Sequence, residues 1–293
     1  MNMEDKINHK IAMSGASGFV GSHLTRAFHA EKYEVLPLGR KDFTLPPEVL
    51  AERIDGADII INLAGAPIIE KWTEAYKKVM YESRVDVTRK LVHACSLANQ
   101  KPKLFVSTSA VGYYATEGTH TEEQHVKAND FLGNLAHEWE QEALKAGGVG
   151  IRTAVFRFGV VLGRDGGALK KMLLPFKLGM GGTIGDGRQP FSWIHIKDLV
   201  RAYQTVIQNT TYEGIYNLTA PNPTTNKGFT NALGKALRRP TFFPIPKFVL
   251  RLKLGEGSQI LTKGQNVIPK KLMDSGFTFL FPEIEKAVRD CVS

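Results

Sequence analysis

Cysteine is nearly absent from this chain: Cys95 and Cys291 are the only two in 293 residues. Two thiols so far apart cannot make a structural zinc site by themselves and supply no disulfide framework. Such usage fits a reducing compartment, with the cytoplasm as the expected location. Long apolar runs are also missing. No stretch approaches the roughly 18 apolar residues of a membrane span, and Met1 to Lys10 has no apolar core of the kind a secretory signal needs. Neither secretion nor a membrane partner is expected. There are no internal repeats or low-complexity segments, and 43% hydrophobic with 23% charged residues excludes disorder, collagen and coiled coil.

Acidic residues are in short supply, 29 against 38 basic for a net charge of +9. The deficit is local: from residue 227 onward 12 Lys and Arg face 5 Asp and Glu. A basic region attracts anions of every kind. The aromatics within it, Phe242, Phe243 and Phe248 among them, are spaced like core or hinge residues and carry no RNA-binding motif. Nucleic acid is therefore not the expected partner; an anionic or polar small molecule is. Oligomeric state is not legible.

What the chain does have is alternation. Short apolar runs at Ile11–Ser14, Tyr33–Leu38, Ala57–Leu63, Lys103–Thr108 and Ile151–Phe158 are separated by helical patterns at Phe19–Glu31, Thr73–Asn99 and about Asn134–Lys145. Parallel strands need crossovers of this length, so the pattern predicts an α/β fold with a doubly wound parallel sheet and helices on both faces. Beyond Gly159 come a glycine-rich turn at 163–167, a helix to Leu178, a second glycine-rich loop at 179–187, a strand from Phe191 to Ile196, a helix capped by Asp198, and a last strand at Gly214–Leu218. The segments 112–125 and 179–190 are expected to shape a pocket. Past the prolines at 221 and 223 the pieces are short and helical, which divides the chain into a Rossmann-like domain at 1–221 and a small, mostly helical lobe at 222–293 covering the substrate cleft.

The most informative motif is Gly15-Ala-Ser-Gly18-Phe-Val-Gly21, directly after a strand and opening an amphipathic helix. Glycines let backbone approach a pyrophosphate closely, and the helix N-terminus supplies positive potential. About 25 residues on, where a reader of the adenine ribose belongs, stand Gly39, Arg40 and Lys41. Basic residues there favour a 2′-phosphate and so NADP(H); Asp42 follows directly and leaves NAD open.

Ser14-Gly-Ala-Ser-Gly-Phe-Val-Gly21 and Asn62-Leu-Ala-Gly65 resemble the cofactor segments of extended short-chain dehydrogenase/reductases. Lys71-Trp-Thr, Glu82-Ser-Arg84, Ser109-Ala-Val-Gly-Tyr-Tyr114, Trp139-Glu140, Phe158-Gly-Val-Val-Leu-Gly163 and Phe191-Ser-Trp-Ile-His195 are similar to the atypical "epimerase family protein" group of that superfamily. Pro269-Lys-Lys-Leu and Gly276-Phe resemble its small C-terminal domain of unknown function. The resemblance implies that Gly15, Ser17, Gly18, Phe19 and Gly21 meet the pyrophosphate. It puts Gly39 and Arg40 at the adenosine phosphate, and Leu63, Ala64 and Gly65 along the path to the nicotinamide. Arg84 would approach from the side, and Phe158, Gly159 and Val160 would line the nicotinamide end.

The superfamily's chemistry uses a Ser and a Tyr whose phenol, of ordinary pKa about 10, transfers a proton. Ser109 matches the Ser. The usual Tyr-x-x-x-Lys pair is missing: Leu132 and Ala136 occupy its places. Tyr113 and Tyr114 are the candidate replacements. His195 reads either as a proton carrier or as a satisfied structural histidine. The expected function is an NADP(H)-dependent oxidoreductase or epimerase acting on a small polar or sugar-nucleotide-like substrate. The alternative is an NADP(H)-binding regulator without turnover, for example one linked to cell division.

Overall fold

A computed structural model describes residues 9–293, so most of the segment examined for a secretory signal lies outside the described residues. Six parallel strands form the central sheet: β1 (Lys10–Ser14), β2 (Glu34–Leu38), β3 (Ile59–Asn62), β4 (Leu104–Ala110), β5 (Arg152–Phe158) and β6 (Gly214–Leu218), in the order β2-β1-β3-β4-β5-β6. This is the Rossmann-like doubly wound sheet that the alternation predicts.

The inner strands are mainly apolar because both faces of the sheet are covered there. On one face Ile11, Met13, Ile61, Val106 and Phe156 pack against α1 (Phe19–Ala30) and α7 (Ile196–Gln208). On the other, Ala12, Ile60, Phe105 and Val155 meet α2 (Pro47–Ile54), α4 (Val87–Leu97) and α5 (Phe131–Leu144). Cys95 is buried in that second layer, where desolvation pushes its thiol up to about 12 and leaves it inert. Among the described residues no helix is long and apolar enough to cross a membrane.

Four local expectations change. The helical pattern at 73–99 is interrupted: α3 (Glu74–Tyr81) passes through a π-helical turn at Glu82–Asp86 before α4 begins. Strand β4 runs on to Ala110, so Ser109 lies within it rather than after it. Helix α5 starts at Phe131, earlier than expected, because the Asp130 carboxylate accepts from Gly133 N–H at 3.0 Å. The cap of α7 is His195, whose Nδ1 accepts from Lys197 N–H at 3.2 Å. Asp198 lies inside the helix and instead accepts from the backbone of Leu280 and Phe281 at 2.7 and 2.9 Å.

The C-terminal part is mainly helical and laced into the rest. Helix α8 (Asn226–Leu237) packs on the last helix, Ile284–Val292, around Trp193, Phe229 and Phe281. Asn266–Val267 pairs in parallel with Thr119–His120, and Thr224–Thr225 pairs antiparallel with Pro190–Phe191. Helices α6 (Gly167–Lys177) and α9 (Lys247–Leu254) flank the opening left between these segments and the sheet.

Candidate functional site

The strand order reverses between β1 and β3, and the loops that follow these two strands meet at that crevice, the usual ligand position of an open α/β sheet. Gly15 takes φ +69°, and a Cβ there would sit 2.9 Å from Leu63 O. A Cβ on Gly21 would lie 2.3 Å from Gly15 O. Only hydrogen at these two positions lets the turn close on the start of α1. Among the described residues no side chain caps that helix, and Ser17 and Gly18 are exposed. The turn therefore offers a bare helix N-terminus, which suits a pyrophosphate. The Phe19 ring serves packing instead: the 163–167 turn lies over it, so close that a Cβ at Gly166 would be 2.3 Å away.

At the end of β2, Gly39, Arg40 and Lys41 are all exposed. Asp42 is spoken for: its Oδ2 accepts from Gly39 N–H at 2.7 Å, and its Oδ1 pairs with Arg53 Nε at 3.2 Å. The carboxylate that left NAD open is thus turned back onto its own loop, while the two cations face solvent.

The loop after β3 is held by a buried polar cluster. Ser14 Oγ donates to Asn62 Oδ1 at 2.7 Å and accepts from the N–H groups of Leu63 and Ala64; Asn62 Nδ2 donates to Thr88 Oγ1 at 2.7 Å. Arg84 projects from the π-helical turn, a distortion common at functional positions. Its Nη2 donates to Ala66 O at 2.9 Å, and its guanidinium covers Gly65, where a Cβ would come within 3.1 Å. Burial pulls this guanidinium down to about 10. Arg84 therefore reaches the side of the Leu63–Gly65 loop and clamps it.

The three hydroxyls expected to act on a substrate are placed differently from one another. Register sets Ser109 opposite Arg157 of β5. A cation in a strand covered on both faces needs a counter-ion, and Glu140 of α5 supplies it: Arg157 Nε and Nη2 each donate to its carboxylate at 2.7 Å, with both side chains 2% exposed. Burial alone would lower the Arg157 guanidinium, but Glu140's hydrogen bonds and charge hold it above its ordinary value.

Ser109 Oγ completes the carboxylate's partners, donating to it at 2.6 Å. It is buried and faces α5, so the reading of Ser109 as the superfamily's substrate-handling Ser is corrected. Tyr114, with no exposed surface, accepts from Arg157 Nη1 at 2.7 Å and donates to Asn217 Oδ1 at 2.6 Å, and burial pushes its phenol up to about 12. Its expected position at a substrate is corrected likewise: both hydrogen-bonding directions of its hydroxyl are in use inside the protein. Tyr113 lays its ring on Arg157, 3.6 Å from centroid to guanidinium carbon, and its hydroxyl takes no part in this network.

Phe158 packs near Tyr203, Gly159 N–H donates to Leu218 O at 3.1 Å, and Val160 N–H donates to Ser192 O at 2.8 Å. Val160 then enters the wall of a cleft of about 350 Å³, beyond the carboxyl ends of β4 and β5. The rest of the wall comes from Val111, from α6, from positions 181–192, from α8 and from 245–265. The segment 179–190 shapes the pocket as expected. Residues 112–125 contribute nothing to its lining, so that half of the expectation is corrected: Thr119–His120 pair with Asn266–Val267, and the Glu122 carboxylate accepts from Asn217 N–H at 2.8 Å.

His195 is the structural reading of the two. Besides capping α7, it stacks on Phe281 at 3.9 Å and sets Nε2 3.2 Å from Asp290 Oδ2. Sequence reasoning passed over the Arg157–Glu140 pair and Asn217 as a unit. The signal was present: an Arg inside a strand with no solvent face demands a buried carboxylate.

Residues 11–219 match the model of the NAD dependent epimerase/dehydratase family, and residues 245–291 match a domain of unknown function, DUF1731. The chain is 38% identical over 300 residues to the epimerase family protein YfhF of Bacillus subtilis, with 97% of this chain and 98% of that protein aligned. It is 36% identical over 293 residues to the epimerase family protein SDR39U1 of Mus musculus, covering 97% and 100%. The crystal structure of human epimerase family protein SDR39U1 (isoform2) with NADPH superposes with a TM-score of 0.88 at 34% identity, covering 96% of this chain and 98% of that one.

Proposed function

The chain belongs to the NAD dependent epimerase/dehydratase family, and from that premise we propose that it binds NADP(H) across the β1/β3 crevice and uses it for redox chemistry on a small molecule seated beside Val160. One observation carries the cofactor choice: Arg40 and Lys41 face solvent while Asp42 is bound to Gly39 and Arg53. The 2′-phosphate of NADP would meet two exposed cations, with the Asp42 carboxylate engaged elsewhere. The relative solved with NADPH supports the same reading.

When bound, NADP(H) supplies or accepts a hydride. The chain's part is to hold and to protonate. Gly15, Gly18 and Gly21 hold the pyrophosphate at the head of α1, and Arg84 keeps the Leu63–Gly65 loop in place beside it. Gly159 and Val160 lead from β5 to the cleft. Of the three hydroxyl groups only that of Tyr113 is outside the buried network, which makes it the candidate proton carrier, although the residue stands behind the wall of the cleft and does not line it. Ser109 and Tyr114 act by fixing Glu140 and Arg157.

A second reading, an NADP(H)-binding regulator without turnover, is favoured by the same locking of Ser109 and Tyr114. Two measurements separate the readings. NADPH should raise the melting temperature more than NADH, since a ligand that binds only the folded state stabilises it by mass action; a larger shift with NADH overturns the cofactor choice. Turnover with a carbonyl panel that falls at least 10²-fold in Tyr113→Phe supports the enzyme. NADPH binding with no turnover on any member supports the regulator.

A further inference from the structure

The cleft beside Val160 has a wall unlike that of a sugar-nucleotide site. Met172, Phe176, Phe191, Phe229, Ile245 and Leu261 dominate it, and among the described residues no carboxylate lines it. Three of its polar side chains, Ser192, Asn226 and Gln189, help to hold the wall together. Ser192 Oγ donates to Gln265 O at 2.7 Å and accepts from Val267 N–H at 3.0 Å. Asn226 Oδ1 accepts from Ile184 N–H at 2.8 Å. Gln189 Nε2 donates to the carbonyls of Ile184 and Leu261 at 3.1 and 3.2 Å. Both of those partners are acceptors, which fixes the amide's orientation. Gln189 Oε1 is left buried with no partner among the described residues.

A sugar nucleotide would carry two phosphates and several hydroxyls into this space, and each polar group buried without a partner is penalised. An apolar body loses nothing there and gains by leaving water. The cations at the wall are Lys171 of α6 and Lys263, both exposed. They belong to a wider field. Residues 167–182, which form one side of the wall, and 238–254, which give it Ile245 and Leu250, contain eight Lys and Arg and no Asp or Glu. Their outer sides expose Leu178, Met180, Phe242 and Leu252. The two segments are thus apolar on both sides and positive overall, a combination that attracts lipophilic anions in particular.

We propose that the cleft binds an amphipathic anion, its hydrocarbon or aromatic body against Met172, Phe176 and Phe229 and its anionic group at Lys171 and Lys263. This names the substrate class for the redox function proposed above and rests on it. It keeps the anionic character expected from the sequence and replaces the polar body with an apolar one.

The test uses the full-length chain without cofactor and the fluorescent probe 11-(dansylamino)undecanoate. Probe emission should rise on binding, and decanoate should displace it while UDP-glucose at equal concentration does not. Met172→Glu should weaken the probe at least tenfold. The surface double variant Lys171→Glu/Lys263→Glu should weaken decanoate about tenfold and leave decanol within about twofold. Displacement by UDP-glucose in preference to decanoate, or no probe binding at all, overturns the proposal. So does binding that ignores Met172→Glu but falls in Leu178→Lys/Phe242→Lys, because the probe would then sit on the outer side. Decanoate affinity unmoved by the double charge reversal overturns the assignment of the anionic group. Melting shifts with NADPH on the same samples keep the two ideas apart: a shift without displacement by decanoate defeats the substrate class alone, and displacement without an NADPH shift defeats the redox function alone.

Discussion

Arg157 grips Glu140 through two parallel hydrogen bonds of 2.7 Å in the interior of the protein, where the two side chains are each 2% exposed. The pair joins β5 to α5, and through Ser109, Tyr114 and Asn217 it extends to β4 and β6.

Removing one partner strands the other. Glu140→Ala leaves a buried guanidinium uncompensated, a change that costs about 3–5 kcal/mol. Urea titration should report a fall of that size in the unfolding free energy. A loss under about 1 kcal/mol would mean that water or another carboxylate reaches Arg157.

The cofactor turn has no room for a side chain at Gly21, where a Cβ would lie 2.3 Å from Gly15 O. Gly21→Ala should push the turn away from α1 and weaken NADPH by at least tenfold in calorimetry, because the backbone N–H groups lose their common aim. Unchanged affinity would show that the pyrophosphate is held elsewhere.

Charge at the end of β2 should set the choice between the two nicotinamide cofactors. Arg40→Glu brings a carboxylate to the place where a 2′-phosphate would bind, so NADPH should weaken by about 2–4 kcal/mol. NADH should be unaffected or improved. Equal losses for both cofactors would show that Arg40 does not discriminate between them.

Acid should weaken the protein partly through His195. Burial pulls its imidazole down to about 4 from the ordinary 6.5, against the opposing influence of Asp290. The unfolded chain therefore takes up a proton first, and stability from this group is complete above pH 6.5 and lost as pH falls toward 4. At pH 5 the loss is about 1–2 kcal/mol at 1.4 kcal/mol per unit. His195→Gln should flatten the fall in melting temperature between pH 7 and pH 5 relative to the parent. An identical slope would place the acid sensitivity in other groups.

The parallel frame with its flanking helices, the glycine turn after β1 and the basic strand end were legible in the sequence because each depends on neighbours in the chain. Strand and helix periods repeat within a few residues. Gly15, Gly18 and Gly21 act within one turn, and Arg40 follows β2 directly. What depends on distant segments was not legible. Ser109 reads as the superfamily's Ser until Arg157 is set beside it by sheet register and Glu140 is brought over by α5. Asp42 reads as an open choice between cofactors until its carboxylate is found on Gly39 N–H and Arg53.

The basic excess past residue 227 shows the same division. Sequence alone determined its sign and its position along the chain. Only the tertiary structure joined 238–254 to 167–182 around one apolar cleft, because whether a charge faces solvent, a cavity or a counter-ion is decided by packing between segments and not by their order.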